Sequence, residues 1–302
     1  MLFRSALSTP LSGYFYSGSA DSQGSYGYWW SSTRYSSNNT NMYNLLVGTS
    51  DVGPAYNDPR TYGFSIRCVL QSDFEKDPLA ALENGTAYLQ DFASLTSTAN
   101  TNLLNLMEAG KSYTVKDKRD EQTYTIAKIN GKPWMTQNLA YVGDTGSESG
   151  KMTMKSTTSN ISADKTINYN DLTAGNSSSD PRIHDSGRTD YGVYYNYAAA
   201  SAGTITSGTS VANYSVCPAG WRLPTQSEFS GITGYSSAFS PVKSGIYDDG
   251  SPYNAGSYGY WWSATAYGSN YRYFLYYGGS SLDASYYGDR NRGLSVRCIR
   301  SS

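Results

Sequence analysis

The chain has little charge of either sign and no long apolar run. Only 16% of its 302 residues are Asp, Glu, Lys or Arg, compared with about 25% in a typical globular protein, and the formal net charge is −1. Such a chain has no broad positive field to attract phosphates, so nucleic acid is not expected as a partner. No stretch approaches the roughly 18 apolar residues that span a bilayer, and the N-terminus lacks the apolar core of a secretory signal peptide. The sequence therefore predicts no membrane span.

Cysteine and histidine are also scarce. The three cysteines, Cys68, Cys217 and Cys298, form no Cys-x-x-Cys motif, and the single histidine, His184, is distant from all of them in sequence. Because structural metal sites usually carry such ligands at characteristic spacings, the sequence predicts neither a metal site nor a cofactor. His184 has no sequence neighbour that could act with it as a catalytic base, and it is expected in a solvated loop.

Tyrosine is abundant, with 30 residues, and so are small polar residues. They are organised by an internal repeat, in which residues 24–70 return as residues 256–300. Ten of the first twelve positions, 24–35 against 256–267, are identical, and both copies close on Gly, an apolar residue, Ser, an apolar residue, Arg and Cys. Between these ends almost nothing matches. A duplicated unit of this kind is expected to use its constant ends for the fold and its free middle for something else.

The middle of the later copy consists mainly of Tyr, Ser, Gly, Asn and Asp, which resembles the composition of an antibody paratope. Tyr provides a large rigid contact face, and the smaller residues provide adaptable hydrogen bonds. Alternation along a strand at 270–277 puts its odd-numbered residues on one face, and this row can continue onto the following loop. A polar surface hairpin without a ligand is the alternative. The expected ligand-binding residues are Tyr267, Asn270, Tyr271, Tyr273, Tyr277, Asp283, Tyr286, Tyr287, Asp289, Arg290 and Asn291.

The repeat also bears on the cysteines. Cys217 and Cys298 belong to the later, complete copy, whereas Cys68 is the repeat counterpart of Cys298 in an incomplete copy. We expect one disulfide, Cys217–Cys298, with Cys68 free, and therefore an oxidising extracellular or cell-surface location. The alternative is three reduced, buried cysteines. The incomplete copy also favours a recorded start that lies inside a longer open reading frame, with an export signal upstream.

The chain divides into three predicted parts. Residues 1–71 are the C-terminal half of a truncated repeat, residues 72–112 are a helical connector, and residues 113–302 are a complete domain. Within the connector, Asp77 and Pro78 predict the start of a helix, because Asp caps free N–H groups and Pro is tolerated at the first position.

Local signals predict several elements of the complete domain. An Asn-Gly pair at 130–131 predicts a β-hairpin, and a short helix is expected within 194–202. Thr225 and Glu228 have the spacing of a capping box, which predicts a second helix. Residues 142–190 are polar enough to predict a long surface excursion.

Four segments, in the order found here, carry a family resemblance. They are KDKRDEQTYTIAKINGKPWMTQNLA at 116–140, YGVYYNYAAASAGT at 191–204, CPAGWRLPTQSEF at 217–229, and GSYGYWWSAT with GLSVRC near the end. Together they resemble the Fibrobacter succinogenes major paralogous domain, within the C-type-lectin-like folds related to the formylglycine-generating enzyme. The resemblance implies an α+β, C-type-lectin-like domain, with two short helices against twisted antiparallel strands and long loops. By the same resemblance, a half-copy of this domain precedes it in the chain. The resemblance also implies export and surface exposure.

The same fold class is used by variable proteins of diversity-generating retroelements, which change residues between a tryptophan-containing strand and the closing strand. The corresponding segment here is 264–292. Trp221, Trp261 and Trp262 are expected to be scaffold residues. Adjacent strand residues point to opposite faces, so at most one of the neighbouring pair could meet a ligand, and the repeat keeps both.

Other chemistries have less support. The formylglycine-generating relatives act through redox-active cysteines, but the two cysteines of the complete domain are expected to bond to each other. Asp248, Asp249 and Asp283 could bind calcium, but they do not form an ordered ligand loop. We therefore expect a non-enzymatic extracellular domain that recognises a protein or glycan ligand, for example in adhesion. The alternative is a structural stalk module of a bacterial surface protein with no specific ligand.

Overall fold

The computed structural model divides into two units, residues 1–71 and residues 72–302. Within them it describes residues 11–67, 72–145, 150–172, 180–203 and 210–301. Most elements are antiparallel strands accompanied by a few short helices, which is compatible with the α+β class. No helix in the described ranges is long and apolar enough to cross a membrane.

The first unit consists of short strands joined by turns. Its elements are the hairpin of β1 (Tyr14–Tyr16) and β2 (Ser19–Asp21) and an antiparallel sheet in the order β3 (Gly27–Arg34), β4 (Asn41–Val47) and β5 (Val52–Pro59). Trp29 in β3 is buried, and the guanidinium of Arg67 lies 5.9 Å from the centre of its ring. Ile66 and Phe15 stay exposed, at 75% and 53% of their surface. The unit therefore encloses only a small core.

Helices occupy the start of the second unit. They are α1 (Asp73–Lys76), α2 (Pro78–Glu83), a 3₁₀ helix (Leu89–Ser94) and α3 (Ser97–Leu106). The predicted start of α2 is confirmed: the carboxylate of Asp77 accepts a hydrogen bond from the N–H of Ala80, and Pro78 takes the first helical position. This cap satisfies one of the N–H groups that the first helical turn leaves without a partner.

These helices pack into the main hydrophobic core. Their buried apolar residues, none more than 3% exposed, include Phe74, Leu82, Leu89, Phe92 and Leu103. They belong to one cluster with apolar residues from the strands farther along the chain. Burying a large apolar side chain contributes about 1.5–3 kcal/mol relative to leaving it exposed. The helical segment is thus a part of the core of the second unit.

Among the described residues, the strands of the second unit form three sheets and a hairpin. The first sheet, in spatial order, consists of β14 (Trp221–Arg222), β21 (Ile299–Arg300), β8 (Lys132–Met135), β7 (Thr123–Ile129) and β6 (Ser112–Lys116). The second consists of β13 (Val193–Tyr195), β12 (Arg182–Asp185), β11 (Lys165–Tyr169), β10 (Lys151–Met154) and β9 (Asp144–Thr145). The third consists of β17 (Tyr258–Tyr267), β18 (Tyr271–Gly278) and β19 (Ser281–Asp283), with β20 (Tyr287–Asp289) also paired to β18. The hairpin is β15 (Ile246–Asp248) with β16 (Ser251–Tyr253), and the short helices are α4 (Tyr197–Ala200), α5 (Gln226–Ser230) and α6 (Ser236–Phe239).

The turn predicted at 130–131 is confirmed as the connection between β7 and β8. Asn130 and Gly131 have φ angles of 47° and 76°, the left-handed values that a two-residue hairpin loop requires. The short helix expected within 194–202 is α4. Local signals therefore located both elements correctly.

The capping box at the start of α5 is confirmed. The hydroxyl of Thr225 accepts from the N–H of Glu228, and the carboxylate of Glu228 accepts from the N–H of Thr225. Burial alone would raise the pKa of Glu228, but hydrogen bonds from Arg222 and Lys132 lower it to about 2. This carboxylate therefore stays ionised and joins the helix start to β14 and β8.

The described parts of the polar stretch 142–190, which are 142–145, 150–172 and 180–190, do not form the surface excursion that its composition predicts. Strands β9 to β12 lie within it, and Met154 and Ile183 are completely buried. His184, expected in a solvated loop, lies on β12 with its ring stacked on Tyr247 at 4.0 Å. Burial lowers the pKa of His184, which favours the neutral ring. The prediction failed because short strands with one or two apolar anchors each give little periodicity.

The expected disulfide is confirmed. Cys217 is bonded to Cys298, at a sequence separation of 81. Beside it, the guanidinium of Arg119 donates a hydrogen bond to the carbonyl of Val216 at 2.6 Å and forms a fully buried ion pair with Asp117. The buried ion pair thus fixes the position of Val216, which directly precedes Cys217.

Replacing Cys217 and Cys298 together with alanine should lower the free energy of unfolding by about 2–4 kcal/mol, because the bond closes a long loop and restricts the unfolded chain. Denaturant titration of the oxidised full chain measures the loss. Cys68 lies outside the described residues, and Cys68→Ser provides the control for loss of a cysteine as such. Labelling of three free thiols in native oxidised protein would contradict the bond.

Candidate functional site

The hairpin of β17 and β18 carries five of the eleven expected ligand residues, and the other six follow it in the chain. Trp262 is paired with Phe274 and Ala266 with Arg272, so residues 263–265 lie opposite a single residue of β18. Because this bulge adds two residues to β17, the alternation of faces continues unchanged beyond it. Odd-numbered residues of both strands therefore share one face of the hairpin, and even-numbered residues share the other.

The tryptophans expected to be scaffold residues lie in the interior. Trp221, Trp261 and Trp262 have no accessible surface. The indole N–H of Trp261 donates to the side-chain oxygen of Asn138 at 2.7 Å, and that of Trp262 donates to the carbonyl of Tyr195 at 2.7 Å. Each indole of the Trp-Trp pair is thus anchored on its own side of the hairpin and has no surface that a ligand could contact.

Four tyrosines on the odd-numbered face form what we call the outer tyrosine cluster: Tyr267, Tyr271, Tyr273 and Tyr287. The rings of Tyr267 and Tyr287 are stacked with their centres 3.8 Å apart, and Tyr273 meets Tyr267 edge-on at 5.3 Å. Tyr271 meets Tyr287 edge-on at 5.9 Å. Tyr271 and Tyr287 are each 46% exposed, and Tyr267 is 39% exposed. A hydrogen bond with Tyr287 raises the pKa of Tyr267, so its hydroxyl stays protonated near neutral pH.

Another set of tyrosines lies on the opposite face of the hairpin. This even-face tyrosine cluster consists of Tyr258, Tyr260, Tyr276 and Tyr286. Tyr276 lies 4.7 Å from Tyr286 and 5.5 Å from each of the other two rings, measured between ring centres. The sequence suggested that Tyr286 and Tyr287 extend one continuous row, but their contacts lie on opposite faces. The expected single surface is therefore divided in two.

Tyr277 does not join the outer tyrosine cluster. Although it belongs to the odd-numbered row, it packs against the smaller core that contains Leu275 and Leu282. The ammonium of Lys243 lies 5.9 Å from the centre of its ring. Tyr277 is therefore partly buried at the inner end of the row, away from the exposed tyrosines.

The polar residues among the expected ligand set mainly shape the backbone. Asp283 and Asp289 each accept a hydrogen bond from the backbone N–H two residues later, at 2.8 Å and 2.9 Å. The backbone N–H of Arg290 donates to the carbonyl of Asn270 at 3.2 Å, which ties the loop after β20 to the hairpin tip. Asn270 and Asn291 are exposed. These residues place the tyrosines rather than form a charged pocket.

The sequence did not predict that Tyr258 and Tyr260 belong to a surface cluster, because they lie in the constant end of the repeat, which was expected to serve the fold. Their contacts with Tyr276 could have been found by applying the same alternation to β17 as to β18. Arg272 was placed on the face opposite the expected ligand row, and it is fully buried there, donating to the carbonyl of Tyr271 at 2.6 Å. Burial lowers the pKa of Arg272.

The first unit has different residues at the positions of the outer tyrosine cluster. In chain order these are Tyr35, Asn41, Tyr43 and Asn57. Tyr35 and Tyr43 meet edge-on at 5.3 Å, as Tyr267 and Tyr273 do. The side-chain amide of Asn41 donates to the side-chain oxygen of Asn57 at 3.0 Å, at the place where the outer tyrosine cluster has two rings in contact. The same strand pairing thus holds a different surface chemistry.

The outer tyrosine cluster is suited to binding by contact. It offers aromatic faces, which stack on flat or apolar groups, and hydroxyl groups, which donate and accept hydrogen bonds. Within the described part of the chain, no three His, Cys, Asp or Glu side chains converge to hold a metal ion. The cluster presents aromatic faces and hydroxyl groups on one face of the hairpin.

One protein family matches part of the chain. Residues 127–241 match the family described as the Fibrobacter succinogenes major domain, which confirms the resemblance inferred from the sequence over that range. No curated protein matches the chain, and no solved structure matches it. The matched range runs from within β7 to just beyond α6 and ends before β17. The outer tyrosine cluster thus lies outside the matched range.

Proposed function

We propose that the second unit is a non-enzymatic, extracellular recognition domain that binds a protein or glycan ligand through the outer tyrosine cluster. The observation that carries the proposal is the cluster itself: four tyrosine rings in mutual contact, three of which are at least 39% exposed. A folded chain gains more by burying such rings than by displaying them, so a contiguous exposed group favours a role in contact with a partner.

The energetics of such a surface suit recognition. Tyrosine has few torsions to immobilise on binding, and the stacking of Tyr267 on Tyr287 restricts both rings before a ligand arrives. Binding energy usually concentrates in a few aromatic anchors near the centre of an interface. Tyr287 contacts each of the other three rings, at 3.8, 5.9 and 6.3 Å between centres, so it is the central residue of the surface.

We also propose that the second unit has a C-type-lectin-like fold and that residues 1–71 are a half-copy of it. Equivalent hydrogen bonds in the two units support this. The N–H of Trp30 donates to the carbonyl of Ser65 at 3.2 Å, and the N–H of Trp262 donates to that of Ser295 at 3.1 Å. Ser65 and Ser295 each also share a hydrogen bond with a second serine hydroxyl, at 3.0 Å and 2.9 Å.

The segment 264–292 is, on this proposal, the changeable part of the domain. It contains the whole outer tyrosine cluster, whereas the buried Trp-Trp pair and residues 293–298, which close the repeat, lie outside it. The two units already differ at the corresponding positions while keeping the same strand pairing. A protein diversified by a retroelement would need this separation of surface from support.

Replacing Tyr271 and Tyr287 together with alanine should abolish ligand binding and leave the melting temperature of the full chain nearly unchanged. Truncating a central aromatic anchor typically costs about 2 kcal/mol or more in binding, whereas both side chains are too exposed to contribute comparably to folding. Binding is measured on a glycan array and on intact bacterial and animal cells, with the melting temperature recorded in parallel.

The matched control is Tyr235→Ala, which removes an equally exposed tyrosine far from the cluster in sequence. It should bind like the parent chain. If the double variant binds as well as the parent, the outer tyrosine cluster is not the recognition surface. If the parent shows no saturable binding to any of these probes, the structural stalk module becomes the better account of the second unit.

A further inference from the structure

β20 forms the outer side of the third sheet next to β18, and it carries Tyr287 of the outer tyrosine cluster. Two backbone hydrogen bonds beside β20 show which residues direct their backbone N–H and C=O groups toward β18. The N–H of Phe274 donates to the carbonyl of Tyr286 at 3.0 Å, and the N–H of Arg290 donates to that of Asn270 at 3.2 Å. Even-numbered residues therefore bond to β18, and odd-numbered residues turn their N–H and C=O groups away from it.

Three backbone groups at this edge have no hydrogen-bond partner among the residues that the structure describes. They are the N–H and C=O of Tyr287 and the N–H of Asp289. The carbonyl of Asp289 accepts from the N–H of Arg292. A donor, an acceptor and a second donor in this order are the pattern that an extended chain pairs with when it joins a sheet edge.

The equivalent edge of the first unit is blocked. There the N–H of Arg60 donates to the carbonyl of Thr40 at 2.9 Å, as Arg290 does to Asn270, so Pro59 stands at the position of Asp289. Proline has no N–H and its ring fills the edge, which is a common protection against strand pairing. The second unit has no proline anywhere in residues 281–289. The same edge position thus has a proline in one unit and, among the described residues, an unpaired N–H in the other.

We infer that β20 binds an extended segment of a protein ligand as an added β-strand, with the outer tyrosine cluster in contact with alternate side chains of that segment. The inference rests on the proposed function and narrows its ligand from protein or glycan to an extended polypeptide. Backbone pairing at Tyr287 and Asp289 supplies affinity for any such chain, and the exposed rings of Tyr271 and Tyr287 supply the selection among sequences.

The test uses the full chain and a phage-displayed library of random linear peptides. Peptides selected on the parent chain are synthesised and measured against two variants, Asp289→Pro and Asp289→Ala. Both variants lose the carboxylate that accepts from the backbone N–H of Asn291, but only the proline also removes the edge N–H. The first unit shows that this backbone accommodates proline. We expect Asp289→Pro to bind the selected peptides at least about tenfold more weakly than Asp289→Ala does.

A second measurement leaves the protein unchanged. N-methylation of alternate amides in a selected peptide should weaken binding in one register and spare it in the other, since only every second residue of an added strand bonds to β20. Equal binding by the two Asp289 variants, or equal effects of N-methylation in both registers, would overturn strand addition. Failure to select any peptide would also overturn it. The proposed function survives each of these results if the Tyr271→Ala, Tyr287→Ala variant still loses binding to glycans or cells.

Discussion

Residues 113–302, produced without the preceding 112 residues, should fail to fold, whereas residues 72–302 should form a stable unit. The sequence alone places the start of the complete domain at 113 and treats the helices before it as a connector. The contacts give those helices a different role, because their buried side chains belong to the main core.

Polar contacts as well as apolar ones depend on this segment. The indole N–H of Trp221 donates to the carbonyl of Leu89 at 2.7 Å, and the guanidinium of Arg300 donates to the carbonyl of Phe92 at 2.7 Å. Trp221 is fully buried and Arg300 is 8% exposed, so removing the carbonyls leaves buried donors without partners. Such losses add to the missing apolar contacts.

The expected effect is larger than a domain of this size can tolerate. Burial of each large apolar side chain contributes about 1.5–3 kcal/mol, and the total stability of a domain is usually about 5–15 kcal/mol. The fragment 113–302 lacks five such side chains of the helices: Phe74, Leu82, Leu89, Phe92 and Leu103. Near-ultraviolet circular dichroism and thermal unfolding of the two fragments provide the measurement. Limited proteolysis of the full chain should correspondingly leave a resistant fragment that begins near residue 72. Cooperative unfolding of 113–302 at the melting temperature of 72–302 would contradict this account.

Replacing Trp261 with alanine should destabilise the second unit by about 3–5 kcal/mol, or unfold it outright. The indole is completely buried, and Asn138 accepts hydrogen bonds both from its N–H and from Arg297, at 2.7 Å and 2.8 Å. The guanidinium of Arg297 lies 5.2 Å from the ring of Trp261 and 4.5 Å from that of Phe239. Burial lowers the pKa of Arg297 to about 9, so its charged form relies on stabilisation by Asn138 and the two aromatic rings.

Loss of the ring removes one of these neighbours and leaves a cavity beside a buried charge. Differential scanning calorimetry should show a fall in melting temperature of roughly 10 °C or more, or no cooperative transition. Tyr253→Ala is the control, because Tyr253 is 61% exposed and its loss should change stability little. A melting temperature for Trp261→Ala equal to that of the control would show that Trp261 does not support the fold.

How much of the fold could be predicted from the sequence depends on whether each element is determined by neighbouring residues or by contacts to distant ones. Caps and turns are local, so Asp77, Thr225 and the pair at 130–131 were located correctly. The disulfide could be predicted because the repeat showed which cysteine had lost its partner. Strands β9 to β12 could not, since each is short and is held by contacts to distant residues that no local pattern records.

The same distinction applies to the candidate site. Alternation correctly grouped Tyr271 with Tyr273, because the two lie on one strand. It could not assign Tyr286 and Tyr287, since the path of the chain after β19 decides which face each of them meets. The position of Arg272 in the interior was equally hidden, because a charged residue beside tyrosines reads as a surface residue unless its neighbours are known.

The bulge in β17 has a counterpart in β3, where the pairing of Trp30 with Asn44 is followed by that of Arg34 with Met42. Beyond it the tips differ: five residues, 36–40, lie between the hydrogen-bonded Tyr35 and Asn41, whereas three residues, 268–270, lie between the paired Tyr267 and Tyr271. The difference is two residues, as is the excess at each bulge. Side chains alternate between the two faces along a strand, so only an even number of residues added within the paired part keeps each later residue on its face. Inserting one residue into the paired part of β17 would move every residue between the insertion and the tip to the opposite face, whereas inserting two would leave Tyr267 on the face of the outer tyrosine cluster.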